Sequence, residues 1–182
     1  MRAPRIGVLA LQGGFAAHTR VLDGLGARAV EVRVPDDLDG LDGLVLPGGE
    51  STTMMLGVER EGLADPLRAL VAAGTPVLGT CAGLILLDRD HLDLMDVRAE
   101  RNAFGRQVRS FEADVELAGF AEPVRAVFIR APWIAEHGPG VEPLATLDGH
   151  VVAARQDDLL AVAFHPELAG ETRLHEWLLE TA

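Results

Sequence analysis

The sequence predicts a three-layer α/β fold: a mostly parallel sheet with helices on both faces, plus antiparallel strands in the second half. Three observations lead there. In the first half, short continuous apolar runs alternate with segments of helical spacing, the pattern of strands covered on both faces by helices. In the second half, strand-like runs succeed one another across short turns. The 182 residues, 48% of them hydrophobic, can bury a sizeable core as one domain spanning 1–182.

Arg5 to Leu11 (RIGVLAL) is the first apolar run and reads as a fully buried strand. Phe15 to Leu25 has helical spacing in Phe15, Val21, Leu22 and Leu25, and Gly26 stands where a helix stops. Ala29 to Val34 and Leu44 to Leu46 are the next strands, the second cut off by Pro47-Gly48-Gly49. A helix begins near Ser51, with Ser51 or Thr52 as its cap. Another runs from Leu63 to Ala73 and ends at Gly74. Pro76 to Gly79 is a fourth buried strand, and Ala82 to Leu87 opens a helix. Val108 to Leu117, Val124 to Ile129, Leu144 to Leu147, Val151 to Ala154 and Leu160 to Phe164 are strand-like. Asp148-Gly149 between two of them signals a hairpin. Thr172 to Leu179 closes the chain as a helix, and repeats, low-complexity tracts and linkers are absent from the sequence.

Composition removes several classes of function. Sixteen basic residues against 28 acidic ones give a formal net charge of −12, whereas nucleic-acid binding needs a basic footprint. Aromatics make up only 4%, so the core is expected to rest on Leu, Val and Ala. One cysteine allows no internal disulfide, and no Cys/His set has zinc spacing. The run Ile6 to Leu11 is too short for a signal peptide's apolar region. No apolar stretch reaches the roughly 18 residues that span a membrane. A cytoplasmic enzyme or binding protein is the expectation.

The strongest local signal is Gly79-Thr80-Cys81-Ala82-Gly83, which comes after a buried strand and opens a helix. It is the cysteine form of the nucleophile elbow G-x-S-x-G. A sharp strand-to-helix turn forces the nucleophile into a strained conformation, and small neighbours avoid clashes. The helix N-terminus favours thiolate, and the Ala82 N–H is placed to donate to an oxyanion. The competing reading is a buried, inert cysteine. A thiolate needs a base, and the base an orienting group. Among six histidines, His165 succeeds the strand Leu160–Phe164 and precedes Pro166-Glu167. Glu167 can fold back onto one ring nitrogen and leave the other for Cys81. The alternative is a solvated His-Pro-Glu turn. The other five histidines sit in predicted helices or turns without special setting. Pro47-Gly48-Gly49-Glu50-Ser51-Thr52-Thr53 lies at another strand end. Its glycines allow close approach to the backbone, and the Gly49 N–H is a candidate second oxyanion donor. The plain alternative is a strand–turn–helix with a cap. The segment lacks the Lys of a P-loop.

Taken together, P-G-G-E-S-T, G-T-C-A-G and F-H-P-E, in this order, resemble the class I (triad) glutamine amidotransferases, whose sheet is flavodoxin-like. Four further segments sharpen this: Gly7–Gly13 (GVLALQG), Arg101–Gln107 (RNAFGRQ), Ser110-Phe111-Glu112 and Phe128–Pro132 (FIRAP). They are similar to the glutaminase subunits of pyridoxal 5′-phosphate synthases, over Ile6 to about Glu180. The resemblance implies Cys81, His165 and Glu167 as the triad. It implies Gly49, Glu50, Ser51, Arg101, Ile129 and Arg130 as glutamine-binding residues. An Arg and a Glu suit the charges of free glutamine. The segment Asp88 to Glu100 is shorter than the family's usual one.

The resemblance further implies hydrolysis of glutamine through a γ-glutamyl thioester, without metal or organic cofactor. The ammonia would pass to a (β/α)₈-barrel synthase subunit in a large hetero-oligomer. The Gln12-Gly13-Gly14 loop and the next helix resemble the family's partner-contact region. His18 on that helix reads equally as an exposed surface residue or an interface residue. Three alternatives remain: the glutaminase of another amidotransferase such as imidazole glycerol phosphate synthase, a non-catalytic module on the same fold, and a redox or chaperone protein built around a similar elbow.

Overall fold

The structure, a computed structural model, describes residues 2–105 and 110–182. Its strands are β1 Arg5–Leu9, β2 Arg28–Val32, β3 Gly43–Leu46, β4 Val77–Thr80, β5 Val97–Glu100, β6 Ser110–Val115, β7 Val124–Ile129, β8 Trp133–His137, β9 Glu142–Leu147, β10 His150–Gln156 and β11 Leu159–Val162. Its α-helices are α1 Phe15–Gly24, α2 Ser51–Arg60, α3 Ala64–Ala72, α4 Ala82–Leu87 and α5 Arg173–Thr181. Short 3₁₀ turns cover Pro35–Leu38 and Pro166–Leu168.

Among the described residues, nine strands form one sheet in the order β2-β1-β3-β4-β11-β10-β8-β5, with β9 pairing β10. From β2 to β11 neighbouring strands run parallel. Beyond β11 they alternate in direction. Every residue of β3, β4 and β11 is buried, which is why these strands read as unbroken apolar runs rather than alternating ones. Helix α1 packs on β1 and β2, α4 on β3, β4 and β11, and α5 on β4. Among the described residues no helix is long and apolar enough to cross a membrane.

The hairpin expected at Asp148-Gly149 joins β9 to β10. Both residues have positive φ (50° and 81°), and Leu147 pairs with His150 across them, as a two-residue I′ turn requires. β1 stops at Leu9 rather than Leu11, and β11 at Val162 rather than Phe164. The latter chain leaves its strand early: the Ala163 N–H donates to Val152 O on β10, and the His165 N–H donates to Val127 O on β7.

Two strands, β5 and β8, lie in segments for which the sequence predicts none. β5 is the edge of the sheet and its buried and exposed residues alternate over only four positions. β8 has three exposed residues at its end. Neither segment is apolar enough to stand out. The strand expected over Val108–Leu117 is β6 in its described part. It pairs with β7 in a separate two-stranded antiparallel sheet. Arg106, Gln107, Val108 and Arg109 lie outside the described residues.

The core is largely Leu, Val and Ala, as expected. The few aromatics concentrate where β7 meets the main sheet: Phe111 stacks on Phe128 at 4.6 Å, and Phe128 packs against Phe164 at 5.5 Å. The short Asp88–Glu100 segment is tightly folded. Asp88, 1% exposed, accepts from the Asp90 N–H, His91 Nδ1 and the Ala99 N–H at 2.9, 2.6 and 3.1 Å. That feeds the chain into β5 and on to Arg101.

Candidate active site

Three adjacent parallel strands, β3, β4 and β11, end on the same side of the sheet. Their carboxyl ends deliver Pro47–Ser51, Cys81 and the segment to His165. Open parallel sheets collect their sites at this edge.

Cys81 has φ 50° and ψ −106°, a conformation that costs about 1–3 kcal/mol and persists only where its surroundings enforce it. Its N–H still donates to Val162 O at 2.9 Å, and its carbonyl accepts from the Leu84 N–H at 3.1 Å. The flanking glycines permit this tight junction. A Cβ on Gly83 would collide with the Leu46 carbonyl, and one on Gly79 would meet Leu87 and the Gly83 carbonyl. Cys81 is 7% exposed, and its sulfur faces Ile129 O at 3.9 Å.

His165 caps the 3₁₀ turn Pro166–Leu168, and that turn swings Glu167 back beneath the ring. Nδ1 lies 2.7 Å from Glu167 Oε1. The imidazole rests over Gly48, where a Cβ would strike it; this explains the first glycine of P-G-G. Burial works against the charged form of His165, but the hydrogen bonds and charge interactions with the Cys81 sulfur and the Glu167 carboxylate outweigh it and raise the ring to about 10. Burial alone would favour neutral Glu167. The hydrogen bond with His165, supported by the neighbouring His18 and His165 rings, overcomes it and holds the carboxyl below its ordinary range.

The Gly48 carbonyl accepts from the Gly14 N–H at 2.9 Å. The planar trans peptide therefore aims the Gly49 N–H away from that loop. Gln12 Oε1 accepts the Glu50 N–H at 2.8 Å. A Cβ on Gly49 would collide with Gln12 Oε1. Glu50, not Ser51 or Thr52, caps α2: its carboxylate accepts from the Thr52 and Thr53 N–H groups at 3.2 and 2.7 Å. Those bonds, led by Thr53, lower its pKa. Ser51 is instead the first helical residue, 3% exposed. Arg101 reaches across from the end of β5. Its Nη2 donates to Ser51 Oγ, to Thr52 Oγ1 at 2.9 Å and to Glu50 Oε1 at 3.4 Å.

A cavity of about 550 Å³ opens among these groups, lined by Gly49, Glu50, Ser51, Cys81, Ala82, Arg101, Ile129, Arg130 and His165. Every sequence-predicted site residue thus faces it except Glu167, which sits behind His165 with its side chain 2% exposed. Gln12, Ile85, Asn102 and Pro132 also line it, and the sequence reading assigns none of them to the site. Gln12 is legible in sequence only as part of the partner-contact loop, whereas its carbonyl in fact braces the Gly49-Glu50 backbone. Among the described residues no group of three or more His, Cys, Asp or Glu could hold a metal ion.

His18 corrects the sequence reading. It is neither exposed nor at an outer surface: it is fully buried, 0% exposed, as is His175. One signal is present in the sequence. His18 falls in the apolar stripe of its helix, three residues after Phe15 and four before Leu22, so it points inward.

A profile of the SNO glutamine amidotransferase family matches residues 8–182. The chain belongs to the SNO glutamine amidotransferase family. The pyridoxal 5′-phosphate synthase subunit PdxT of Geobacillus kaustophilus (strain HTA426) is 52% identical over 182 residues, covering 96% of this chain and 93% of the relative. The same-named subunit of Mycobacterium avium (strain 104) is 50% identical, covering 99% and 97%. A solved structure described as a glutamine amidotransferase superposes with a TM-score of 0.91 at 45% identity, covering 97% of each chain. Family membership accounts for the shared α/β fold.

Proposed function

We propose that the protein is the glutaminase subunit of a pyridoxal 5′-phosphate synthase, hydrolysing L-glutamine to L-glutamate and ammonia as one domain over residues 1–182. The observation that carries this reading is that Cys81 and His165, far apart in sequence, line one cavity together with Arg101, while Glu167 holds His165 from behind. Glutamine enters with its α-carboxylate toward Arg101 and its side-chain amide toward Cys81, against Glu50, Ser51, Ile129 and Arg130. His165 takes the Cys81 proton, and its raised pKa favours the imidazolium that results. The thiolate attacks the amide carbon. The N–H groups of Gly49 and Ala82 stabilise the tetrahedral oxyanion, an effect of about 3–4 kcal/mol per donor. His165 protonates the departing ammonia, and water then hydrolyses the γ-glutamyl thioester. Glu167 holds the ring's tautomer and its charge throughout. None of these steps calls for a metal or organic cofactor.

The relatives at about half identity are named as synthase subunits, which supports a synthase subunit as partner. We take that partner to be a (β/α)₈ barrel in a large cytoplasmic hetero-oligomer that receives the ammonia. The same relatives disfavour imidazole glycerol phosphate synthase as the parent complex. The test is glutamine hydrolysis with and without the synthase. Cys81→Ala should abolish hydrolysis and leave ammonia-dependent pyridoxal 5′-phosphate formation intact; hydrolysis surviving in that variant overturns the reading.

A further inference from the structure

Behind Glu167 lies a buried polar cluster that the mechanism above does not use. It draws His18 from α1, Thr80 from the end of β4 and His175 from α5, all fully buried. His18 Nδ1 is 2.8 Å from His175 Nε2. His18 Nε2 is 3.2 Å from Thr80 Oγ1 and 3.5 Å from Glu167 Oε2. Glu167 Oε1 is taken by His165, while among the described residues Oε2 is buried without a hydrogen-bond partner, as is His175 Nδ1.

These positions dictate the protonation pattern. One proton lies between His18 Nδ1 and His175 Nε2. If it belongs to His18, the bare lone pair of Nε2 faces a carboxylate, and His175 keeps a buried N–H at Nδ1 with nothing to accept it. If it belongs to His175, His18 carries Nε2–H, aimed at both Thr80 Oγ1 and Glu167 Oε2. Only a spare acceptor is then left at His175 Nδ1. Orphaned buried N–H groups are the rarer defect, so the second pattern wins. Burial keeps both rings neutral. It lowers His18 despite the raising effect of Glu167, with His165 adding to the lowering. It lowers His175 to about 3, with His18 acting in the same direction and Glu167 and Glu171 opposing.

We infer that His18 and His175 are positioning residues for Glu167. His175 fixes His18 as its Nε2–H tautomer, and that N–H holds the second carboxylate oxygen so that the first stays on His165. The inference rests on the proposed roles of Cys81, His165 and Glu167. It extends their chain from the sulfur to the C-terminal helix.

The test combines nitrogen NMR of the imidazoles in the full chain with kinetics of the chain in complex with its synthase. Both rings should be neutral and Nε2-protonated between about pH 6 and 8. His18→Leu should lower kcat about 10- to 100-fold, by analogy with the outer-shell partners that orient metal-ligating histidines, with KM little changed. His18→Gln, whose amide N–H lies near the lost Nε2–H, should recover most of kcat. An Nδ1–H tautomer at His18, titration of His18 within that pH range, or equal kcat in the two variants would overturn the inference. Should neither variant fold, the tautomer of the unaltered chain decides it. Hydrolysis surviving in Cys81→Ala sinks the reading of the site; wild-type kcat in His18→Leu, with Cys81→Ala inactive, sinks this inference alone.

Discussion

At the scale of the residue, charge decides the chemistry. His165 is largely buried, yet its two neighbours raise it to about 10. Glu167 supplies the permanent part of that effect. Glu167→Gln keeps the shape but removes the charge and offers the ring an ambiguous partner. Its kcat for glutamine should fall on the order of 10³–10⁴-fold, as in other triads that lose the orienting carboxylate, with KM little changed. Steady-state hydrolysis in the assembled complex measures this, and a loss under tenfold contradicts the role. Arg101 acts on binding instead. It is already anchored at the start of α2 by Ser51 and Thr52, so it presents its guanidinium without further ordering. A hydrogen bond to a charged group contributes about 1.5–3 kcal/mol. Arg101→Ala should therefore raise KM for glutamine about 10- to 100-fold and spare kcat. An unchanged KM would remove Arg101 from the binding set.

At the scale of the element, the site depends on the junctions where strands β3, β4 and β11 hand over to helix or turn. The elbow at Cys81 exists because α4 lies against the end of β3, where only a hydrogen at Gly83 clears the Leu46 carbonyl. Gly48 does the same for the His165 ring. Gly48→Ala should displace the imidazole by a fraction of an ångström to an ångström. Misplacement on that scale costs about 10²-fold in rate. Thermal melting should show less change than kcat, since the ring can move toward the open cavity; equal loss of folding and activity would mean Gly48 is needed only for packing. The Pro166–Leu168 turn is the third junction. Pro166 sets the backbone so that Glu167 returns to His165 within two residues.

At the scale of the whole molecule, buried histidines set how stability varies with pH. His175 is lowered to about 3 and His18 is lowered from 6.5. Their contribution is complete above about pH 6.5. As pH falls below that, the unfolded chain binds protons that the native chain refuses. Stability then drops by about 1.4 kcal/mol per pH unit for each ring. His165 has the opposite sign. Its contribution is complete below about 6.5 and is lost as pH rises through about 10. Urea midpoints should thus be highest near neutrality, and His175→Leu should flatten the acid side. An acid slope unchanged in that variant would rule out the buried pair as its cause.

What the sequence determined alone was local. Unbroken apolar runs ended by Pro-Gly-Gly, Cys-Ala-Gly and His-Pro-Glu marked buried strands and the chemistry at their ends, because a strand covered on both faces admits almost no polar residue. The I′ turn at Asp148-Gly149 was equally legible, since its two positive φ angles demand such residues. Adjacency was decided only in three dimensions. Nothing in local spacing says that β11 inserts beside β4, or that β5 and β8, too short and too polar to announce themselves, complete the sheet. Strand order depends on hydrogen bonds between segments distant along the chain, and so does the meeting of His18 with His175 across 157 positions. The apolar stripe of α1 turns His18 inward, but nothing in local spacing says that a carboxylate and a second histidine meet it there. The approach of His18 on α1 to Thr80 at the end of β4, and of His175 on α5 to His18, made these two part of the buried chain behind Glu167.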